Sequence, residues 1–520
     1  PFVAVLIAAV SGSFEAVTSL ADTVLLGYAL NTVGLVLVTG LMALVIGVST
    51  AWLVTMTEFP GRRLLEVALV LPFAFPAYVV AYGYTHILDH PGIVQTALRT
   101  TFDLGPRDYW FPEIRSFGGA AAMLTLVLYP YVYLLARASF VSQSGAQFIA
   151  ARTLGRGAWR TFFTVSLPMT RTAALGGTLL VAMETIADFG TVSFFGVPTF
   201  ATGIYQTWFS FGDRAAAAQL ALCLLMFALL IALLERTSQG SDVMTHGKRV
   251  EAMPRFQLTG LRAFGAATAC ALPVILGAVI PAIALVVLAQ RSEQNLFSQR
   301  YIDFATNSLV LAATGALVTV AAAIAIIAAR RTRRTGFTRA TVQIARFGYA
   351  VPGGVIAVGL MVPAAAFDNA LDGFMRATFG ISTGLLITGS IALLIAAYMT
   401  RFLAAAIAAH EGGASAVRPN LDAADRVLGA SPARSTWRIQ MPLMAPSLLT
   451  AGLIVFVDIM KELPATLILR PFNFATLAVQ AFRLASDERL TGAAVPSLVI
   501  AALGLVPTIL LCRRIHRNDV

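Results

Sequence analysis

Apolar runs of about twenty residues recur along the whole of this 520-residue chain. A helix of that length crosses the hydrocarbon core of a bilayer, which is about 30 Å thick. Backbone polar groups in lipid must be hydrogen-bonded within the protein, so only helices or closed barrels span it, and the sequence lacks the alternating strands of a barrel. The sequence therefore predicts an all-α polytopic membrane protein. A composition of 58% hydrophobic and 12% charged residues excludes a water-soluble domain of this length.

We expect about twelve spans, six in each half of the chain. A short apolar run, Phe2–Val10, is expected to be the remainder of a truncated first span, because the chain begins within it. The other predicted spans cover residues 31–57, 64–88, 118–140, 172–196, 215–235, 263–290, 308–329, 344–367, 382–400, 446–469 and 494–512.

The formal net charge of +11 indicates topology rather than nucleic-acid binding. Most of the 37 Lys and Arg residues fall on one side of the predicted spans, including Arg330, Arg331, Arg513 and Arg514. The positive-inside rule places that side in the cytoplasm. We expect the lipid bilayer as a partner and no nucleic acid. The three cysteines lie too far apart to predict a metal site or a disulfide framework.

A polar, basic loop occurs twice, about 274 positions apart, and each copy lies between apolar runs on the predicted cytoplasmic side. Each glycine of this loop is expected to end a helix in a left-handed conformation, and a proline 13 residues later begins the next span. Two matched, water-facing loops in a membrane protein predict two docking surfaces for a cytoplasmic partner. Their residues are Ala150, Ala151, Arg152, Gly155 and Pro168 in the first copy, and Ala424, Asp425, Arg426, Gly429 and Pro442 in the second.

The duplication extends beyond the loops. Asn31 precedes one span as Asn307 precedes another, and Pro76 corresponds to Pro352 at a similar offset. An even number of spans in each half gives both halves the same orientation, so the sequence predicts two parallel tandem repeats. We expect a first permease repeat over residues 1–235, a cytoplasmic linker over 236–262 and a second repeat over 263–520.

The doubled loop resembles the EAA loop of ATP-binding-cassette (ABC) importer permeases, whose short coupling helix docks on a separate ATPase. Over nearly its whole length the chain also resembles the fused permeases of ferric-iron importers, most closely at 183–192 and at 460–472. The glutamate that opens the EAA motif is replaced by Ile149 and Ala423, and Asp425 stands in place of the second alanine. Contacts that depend on that glutamate are not expected here.

The resemblance implies a type I importer fold and three partners. Two ATPase subunits, which carry ATP and Mg, would dock on the cytoplasmic loops, and a periplasmic or lipid-anchored binding protein would deliver cargo to the outer side of the bacterial inner membrane. The implied cargo is ferric iron, although thiamine and phosphonate importers use similar fused permeases. We expect this chain itself to bind no cofactor, to hold no metal site and to have no catalytic residues. Gly247-Lys248 lacks the rest of a phosphate-binding loop, so ATP is expected to bind to the partner ATPase and not to this chain.

Five charged residues lie within predicted spans: Glu184, Asp188, Asp458, Lys461 and Glu462. Aligning the loops aligns the acids, and in each half the two acids are four residues apart on one helix face. One hypothesis is that they line the transport pathway and form its gate; the other is a structural polar lock that includes Lys461. A rival class, a secondary transporter, would use the acids as proton or cation sites. The doubled loop favours the importer, because a gradient-driven carrier needs no docking helices.

Overall fold

The computed structural model describes residues 2–10, 21–143, 157–238, 255–294, 298–332, 335–414 and 441–517, together with the single positions 153, 155, 434 and 438. Most of these residues are helical, and the described part of the chain has eight helical segments that are long and apolar enough to cross a membrane. The predicted all-α polytopic class is confirmed. The two parallel repeats, with their boundaries at 235 and 263, stay a prediction.

The helices follow in chain order. Those up to residue 238 are α1 (Phe2–Val10), α2 (Leu26–Met56), α3 (Arg62–Ala68), α4 (Ala77–Leu88), α5 (Ile93–Phe102), α6 (Phe117–Ser142), α7 (Ala158–Thr161), α8 (Leu167–Ala187), α9 (Gly190–Phe194), α10 (Phe200–Phe209) and α11 (Arg214–Ser238). The later ones are α12 (Gly260–Val274), α13 (Ile280–Gln290), α14 (Gln299–Thr332), α15 (Gly336–Phe347), α16 (Gly353–Phe379), α17 (Ile391–Ala414), α18 (Met441–Met460), α19 (Pro464–Leu469), α20 (Leu477–Ser486) and α21 (Leu490–Arg517).

Two short strands are the only β structure within the described residues. Strand β1 (Thr57–Glu58) pairs in parallel with β2 (Phe256–Gln257), so that Thr57 faces Phe256. Arg255 adds an ion pair to Glu58, with 3.3 Å between Nη1 and Oε2. The segment predicted as a linker is therefore fixed, near its end, to the turn between α2 and α3.

Several predicted spans differ from the observed helices. The runs 172–196 and 446–469 are not continuous helices, since each breaks before its end and restarts as a short helix, α9 or α19. The run 382–400 begins instead as a loop, and α17 starts at Ile391. The run 64–88 is bent by 94° between residues 74 and 77.

The late start of α17 has a local cause. Asp368 and Asp372 lie in α16 and accept backbone hydrogen bonds from the following loop. The amide of Thr388 donates to Asp368 Oδ2 at 2.7 Å, and that of Thr383 donates to Asp372 Oδ1 at 2.8 Å. Carboxylates that satisfy loop amides replace the hydrogen bonds of a helix, so the loop is stable without helical structure.

The chain forms two compact units, and each takes residues from both sequence halves. One unit comprises Pro1–Thr23, Gly203–Leu229 and Gln294–Arg483. The other comprises Val24–Thr202, Leu230–Glu293 and Leu484–Val520. We call them the first and the second unit. Because each unit takes helices from both halves, the compact units are a different division from the predicted sequence repeats.

In the second unit, α2, α6 and α8 pack together closely because small residues lie where they meet. A Cβ added to Gly47 of α2 would lie 2.7 Å from Val132 Cβ of α6. One added to Gly177 of α8 would lie 2.7 Å from Val132 Cα. Helix pairs in membranes commonly pack through small residues in this way, because dispersion contacts replace the hydrophobic effect there. In the first unit, α14, α17 and α18 form the corresponding trio.

A buried ion cluster joins α3 to α6 in the second unit. The Glu66 carboxylate accepts from Arg62 Nη1 at 3.1 Å and from Arg137 Nε at 2.9 Å. All three residues are at most 9% exposed. The Tyr133 hydroxyl donates to the Glu66 carbonyl oxygen at 2.7 Å. One buried carboxylate therefore serves both buried guanidinium groups, and Glu58 adds a second ion pair to Arg62, with 3.2 Å between Oε2 and Nε.

Replacing Glu66 with Ala should destabilise the protein, because it leaves two buried arginines without their common counter-charge. The expected loss is about 3–5 kcal/mol, the usual cost of breaking a buried pair by removing one partner. Thermal unfolding of the detergent-purified chain measures it. The matched control is Glu113→Gln, since Glu113 is exposed in an outer loop. Equal midpoints for the two variants would contradict the structural role of the cluster.

Candidate functional site

The described part of the doubled loop agrees with the predicted turn and re-entry. Gly155 is exposed and has a φ of +73°, the left-handed conformation that favours glycine. Pro168 is the second residue of α8, and Pro442 is the second residue of α18. A π-helical turn, Phe162–Ser166, runs directly into α8, and in such a turn the regular i→i−4 hydrogen bond that the Pro168 nitrogen cannot make is already interrupted. Ala150, Ala151, Arg152, Ala424, Asp425, Arg426 and Gly429 lie outside the described residues.

Asp188 lies at the break between α8 and α9. Its Oδ1 accepts hydrogen bonds from the backbone N–H groups of Thr191 and Val192, both at 3.1 Å. Its Oδ2 accepts from the Thr191 hydroxyl at 3.0 Å. The carboxylate therefore supplies the acceptors that the first turn of α9 lacks, which is the role of an N-terminal cap.

Glu462 has the same role at the break between α18 and α19. Its Oε1 accepts from the backbone N–H of Ala465, and its Oε2 from that of Thr466, both at 3.0 Å. The Thr466 hydroxyl donates to Oε2 at 2.7 Å. As at Asp188, the donors are three and four residues further along the chain, so the acids that the sequence aligned have matching backbone partners.

The two breaks differ in charge. Glu462 Oε1 also forms an ion pair with Arg401 Nη1 of α17, at 3.2 Å, and both side chains are nearly buried. Gly353 makes this approach possible, since a Cβ there would lie 2.5 Å from Glu462 Oε1. Asp188 has no ion pair among the described residues.

Arg401 is a site residue that the sequence analysis missed. The predicted span ended at residue 400, which left Arg401 outside the membrane, whereas α17 continues to Ala414. Glu462 was the available signal, since a buried acid with several acceptor sites calls for a cationic partner.

The remaining charged candidates are Lys461, Asp458 and Glu184. Lys461 Nζ pairs with Asp458 Oδ1 at 2.9 Å, three residues earlier in the chain. Glu184 is half-buried on α8, one turn before Asp188. The structure therefore brings Asp458 and Lys461 together, and Glu462 with Arg401. The assignment of these residues to a gate or to a polar lock stays a prediction.

A further ion cluster lies in the second unit, on the side predicted to be outer. Arg115, in the loop before α6, forms a bidentate pair with Glu488 before α21, at 2.5 and 2.7 Å. It also pairs with Asp89 at the end of α4, at 3.1 Å, and its guanidinium lies over the Phe194 ring. The hydrogen bonds from Arg115 lower the pKa of the Glu488 carboxyl, and the bonds to Glu488 raise the pKa of Arg115.

With this geometry in place, comparison with known proteins identifies the relatives. The chain is 24% identical to the Fe(3+)-transport system permease protein FbpB 2 of Haemophilus influenzae, over 92% of this chain and 88% of that one. It is 26% identical to the probable ABC transporter permease protein y4fN of Sinorhizobium fredii, over 90% and 83%. It is 32% identical to the molybdenum transport system permease protein ModB of Escherichia coli, over 36% of this chain and 81% of that one. No protein-family model matches the sequence.

The spans, the capped helix breaks and these relatives define a polytopic transport subunit of the bacterial inner membrane, not an enzyme. The chain belongs to the permeases of ABC importers, and its likeness to FbpB 2 over nearly the whole length of both chains is that of a fused permease. Permeases of this class work with ATPase and binding-protein partners.

Substitutions at the two breaks separate capping from charge. Asp188→Asn keeps a capping oxygen and should leave stability nearly unchanged, whereas Asp188→Ala should lower it by about 2 kcal/mol or more, because the buried amides of Thr191 and Val192 both lose their acceptor. Glu462→Gln keeps one capping oxygen, replaces the other with an NH2 donor and removes the ion pair of buried Arg401, so it should be the more damaging of the two amide variants. Thermal unfolding in detergent measures all three. If Asp188→Asn is stable but inactive in transport, the charge of Asp188 belongs to the pathway.

The Arg115–Glu488 pair should make stability pH-dependent. Because the pKa of this carboxyl is lower in the folded chain, its ionised form stabilises the fold at any pH above the ordinary pKa of Glu, about 4.3. This contribution disappears as the pH falls through the folded pKa. The difference in unfolding midpoint between the wild type and Glu488→Gln should therefore be present at pH 7 and should shrink as the pH falls below about 4. Glu113→Gln serves as the control carboxyl. A difference that stays constant as the pH falls would contradict the role of this ion pair.

Proposed function

We propose that the chain is the permease of a ferric-iron importer, driven by a separate pair of ATPase subunits. Ferric iron is inferred as the cargo from the likeness to FbpB 2, which covers 92% of this chain and 88% of the relative. The ModB match, by contrast, covers only 36% of this chain. A second ferric relative from Haemophilus influenzae, a putative FbpB 1, matches 83% of the chain at 25% identity, which supports the same cargo.

In this proposal the two matched loops are the points at which the ATPase pair transmits force. ATP and Mg are held by the ATPase subunits, and this chain contributes only the docking surfaces. Gly155 supports a sharp exposed turn in the first loop, and Pro168 and Pro442 begin the helices that lead from the loops into the membrane. Closure of the ATPase pair on binding ATP would move both loops together and favour the outward-facing state.

In this proposal, movement of the loops acts on the membrane-embedded part of the chain at the two helix breaks. Helix α8 leads from the first loop to Asp188, and α18 leads from the second loop to Glu462. Each ends at a capped break, where a short helix restarts. A displacement of the loop would therefore be transmitted along one rigid helix to a defined joint in each half. A binding protein on the outer side would supply the iron.

Loss of the loop arginines should uncouple the ATPases. In proteoliposomes that contain the chain, its ATPase and its binding protein, the Arg152→Ala, Arg426→Ala double variant should lower the ATP hydrolysis stimulated by iron-loaded binding protein about tenfold. A tenfold loss is about 1.4 kcal/mol, which is about 0.7 kcal/mol for the hydrogen bond of each arginine. The control is Arg107→Gln, an exposed arginine of the outer loop. If no ATPase binds the chain, or if the double variant stimulates hydrolysis as the wild type does, the coupling role is wrong.

A further inference from the structure

A cavity of about 660 Å³ lies within the first unit, at the end predicted to face outward. Arg214, Asn369 and Thr388 contribute its polar wall, and Met361, Val362 and Trp208 contribute apolar wall. Among the described residues that line it, Arg214 is the only charged one; Arg214 is exposed and makes no hydrogen bond or ion pair with the part of the chain that the structure describes. The cavity therefore presents a cation without a counter-charge.

The corresponding place in the second unit explains why this space is open. There, Arg115, Glu488 and Asp89 fill the region with their ion cluster. Arg115 corresponds to Gly389 at a sequence offset of 274. Glu488 corresponds to Gly212, and Asp89 to Ala365, at an offset of 276. Gly212 and Ala365 both line the cavity. Three charged side chains in one unit are thus replaced by three small residues in the other.

The backbone supports this correspondence at two positions. Gly212 has a φ of +67° and Glu488 a φ of +59°, and each lies in the turn before a long helix, α11 or α21. Gly389 and Arg115 each precede a serine whose hydroxyl accepts from an amide three residues later: Ser390 from Leu393, and Ser116 from Gly119. The turns are therefore alike, and what differs is the side chains that they carry.

The surroundings of the cavity favour hydrocarbon over water. Its lining segments carry large apolar side chains that are exposed in the protein: Phe209 at 49%, Phe211 at 71%, Leu385 at 60% and Leu386 at 57%. A cluster of exposed apolar residues marks a surface that something apolar covers. Trp208 fits the same boundary, since tryptophan is enriched where hydrocarbon meets the headgroups.

We propose that this cavity binds a phospholipid with an anionic headgroup. The phosphate would pair with the Arg214 guanidinium and accept from the Asn369 amide, while Met361, Val362 and Leu385 contact the start of the acyl chains. A guanidinium is suited to this role, because its fixed array of donors matches the geometry of a phosphate. The bound lipid would fill the space that the ion cluster fills in the second unit, and would hold α11 against α16 there.

Lipid retention by the purified chain tests this. The detergent-purified protein is mixed with equal amounts of phosphatidylglycerol and phosphatidylcholine, and the retained lipids are counted by native mass spectrometry. We expect the wild type to prefer phosphatidylglycerol by about fivefold, the effect of one basic residue near an anionic headgroup. Arg214→Gln should lose this preference, while Arg107→Gln, an equal change of charge on the outer side, should keep it.

A second variant guards against a merely general charge effect. Ala365→Leu fills the cavity but keeps Arg214, so it should also lose the preference, and its unfolding midpoint shows that it folds. Equal preference in the wild type, Arg214→Gln and Ala365→Leu would overturn the proposal. So would competition by glycerol 3-phosphate, which would indicate a soluble anion. Loss of binding-protein affinity in Arg214→Gln with lipid retention unchanged would indicate protein docking instead. None of these outcomes depends on the identity of the transported cargo.

Discussion

A helix that breaks inside a membrane frees backbone N–H groups that water cannot reach, and each must find an acceptor within the protein. Asp188 and Glu462 provide these acceptors at the two breaks, through donors three and four residues further along the chain. Without them, α9 and α19 would begin with unpaired amides in a buried setting, at about 1–3 kcal/mol for each group. The joints that end the two loop-connected helices depend on these carboxylates.

The two halves use one backbone solution with different electrostatics. Glu462 is compensated by buried Arg401, and the second unit has its own buried cluster around Glu66. On the predicted outer side, the second unit closes its turn with Arg115 and Glu488, whereas the first leaves a cavity beside Arg214. Two halves joined in one chain need not carry identical charges. The result is a permease with similar joints and unequal surfaces.

The sequence was sufficient to predict the class of protein, the position of most spans and the correspondence of Asp188 to Glu462. Apolar length and repeat spacing can be read directly along the chain. It was not sufficient for the breaks in 172–196 and 446–469, since an apolar run does not show where a carboxylate will end a helix. The partnership of Glu462 with Arg401 joins residues 61 apart, and it was hidden by the predicted end of a span at residue 400. The cavity was equally hidden, because it follows from three small residues that only the fold brings to one place.

Uptake of ferric iron is the most direct test of the central claim. Proteoliposomes that contain the chain, its ATPase pair and iron-loaded binding protein should accumulate radiolabelled iron only when ATP and Mg are present on the ATPase side, and a pH gradient alone should drive none. Iron accumulation that follows the pH gradient without ATP would contradict the account and identify a secondary transporter. Uptake of a different cargo under the same ATP dependence would keep the importer but refute ferric iron as its cargo.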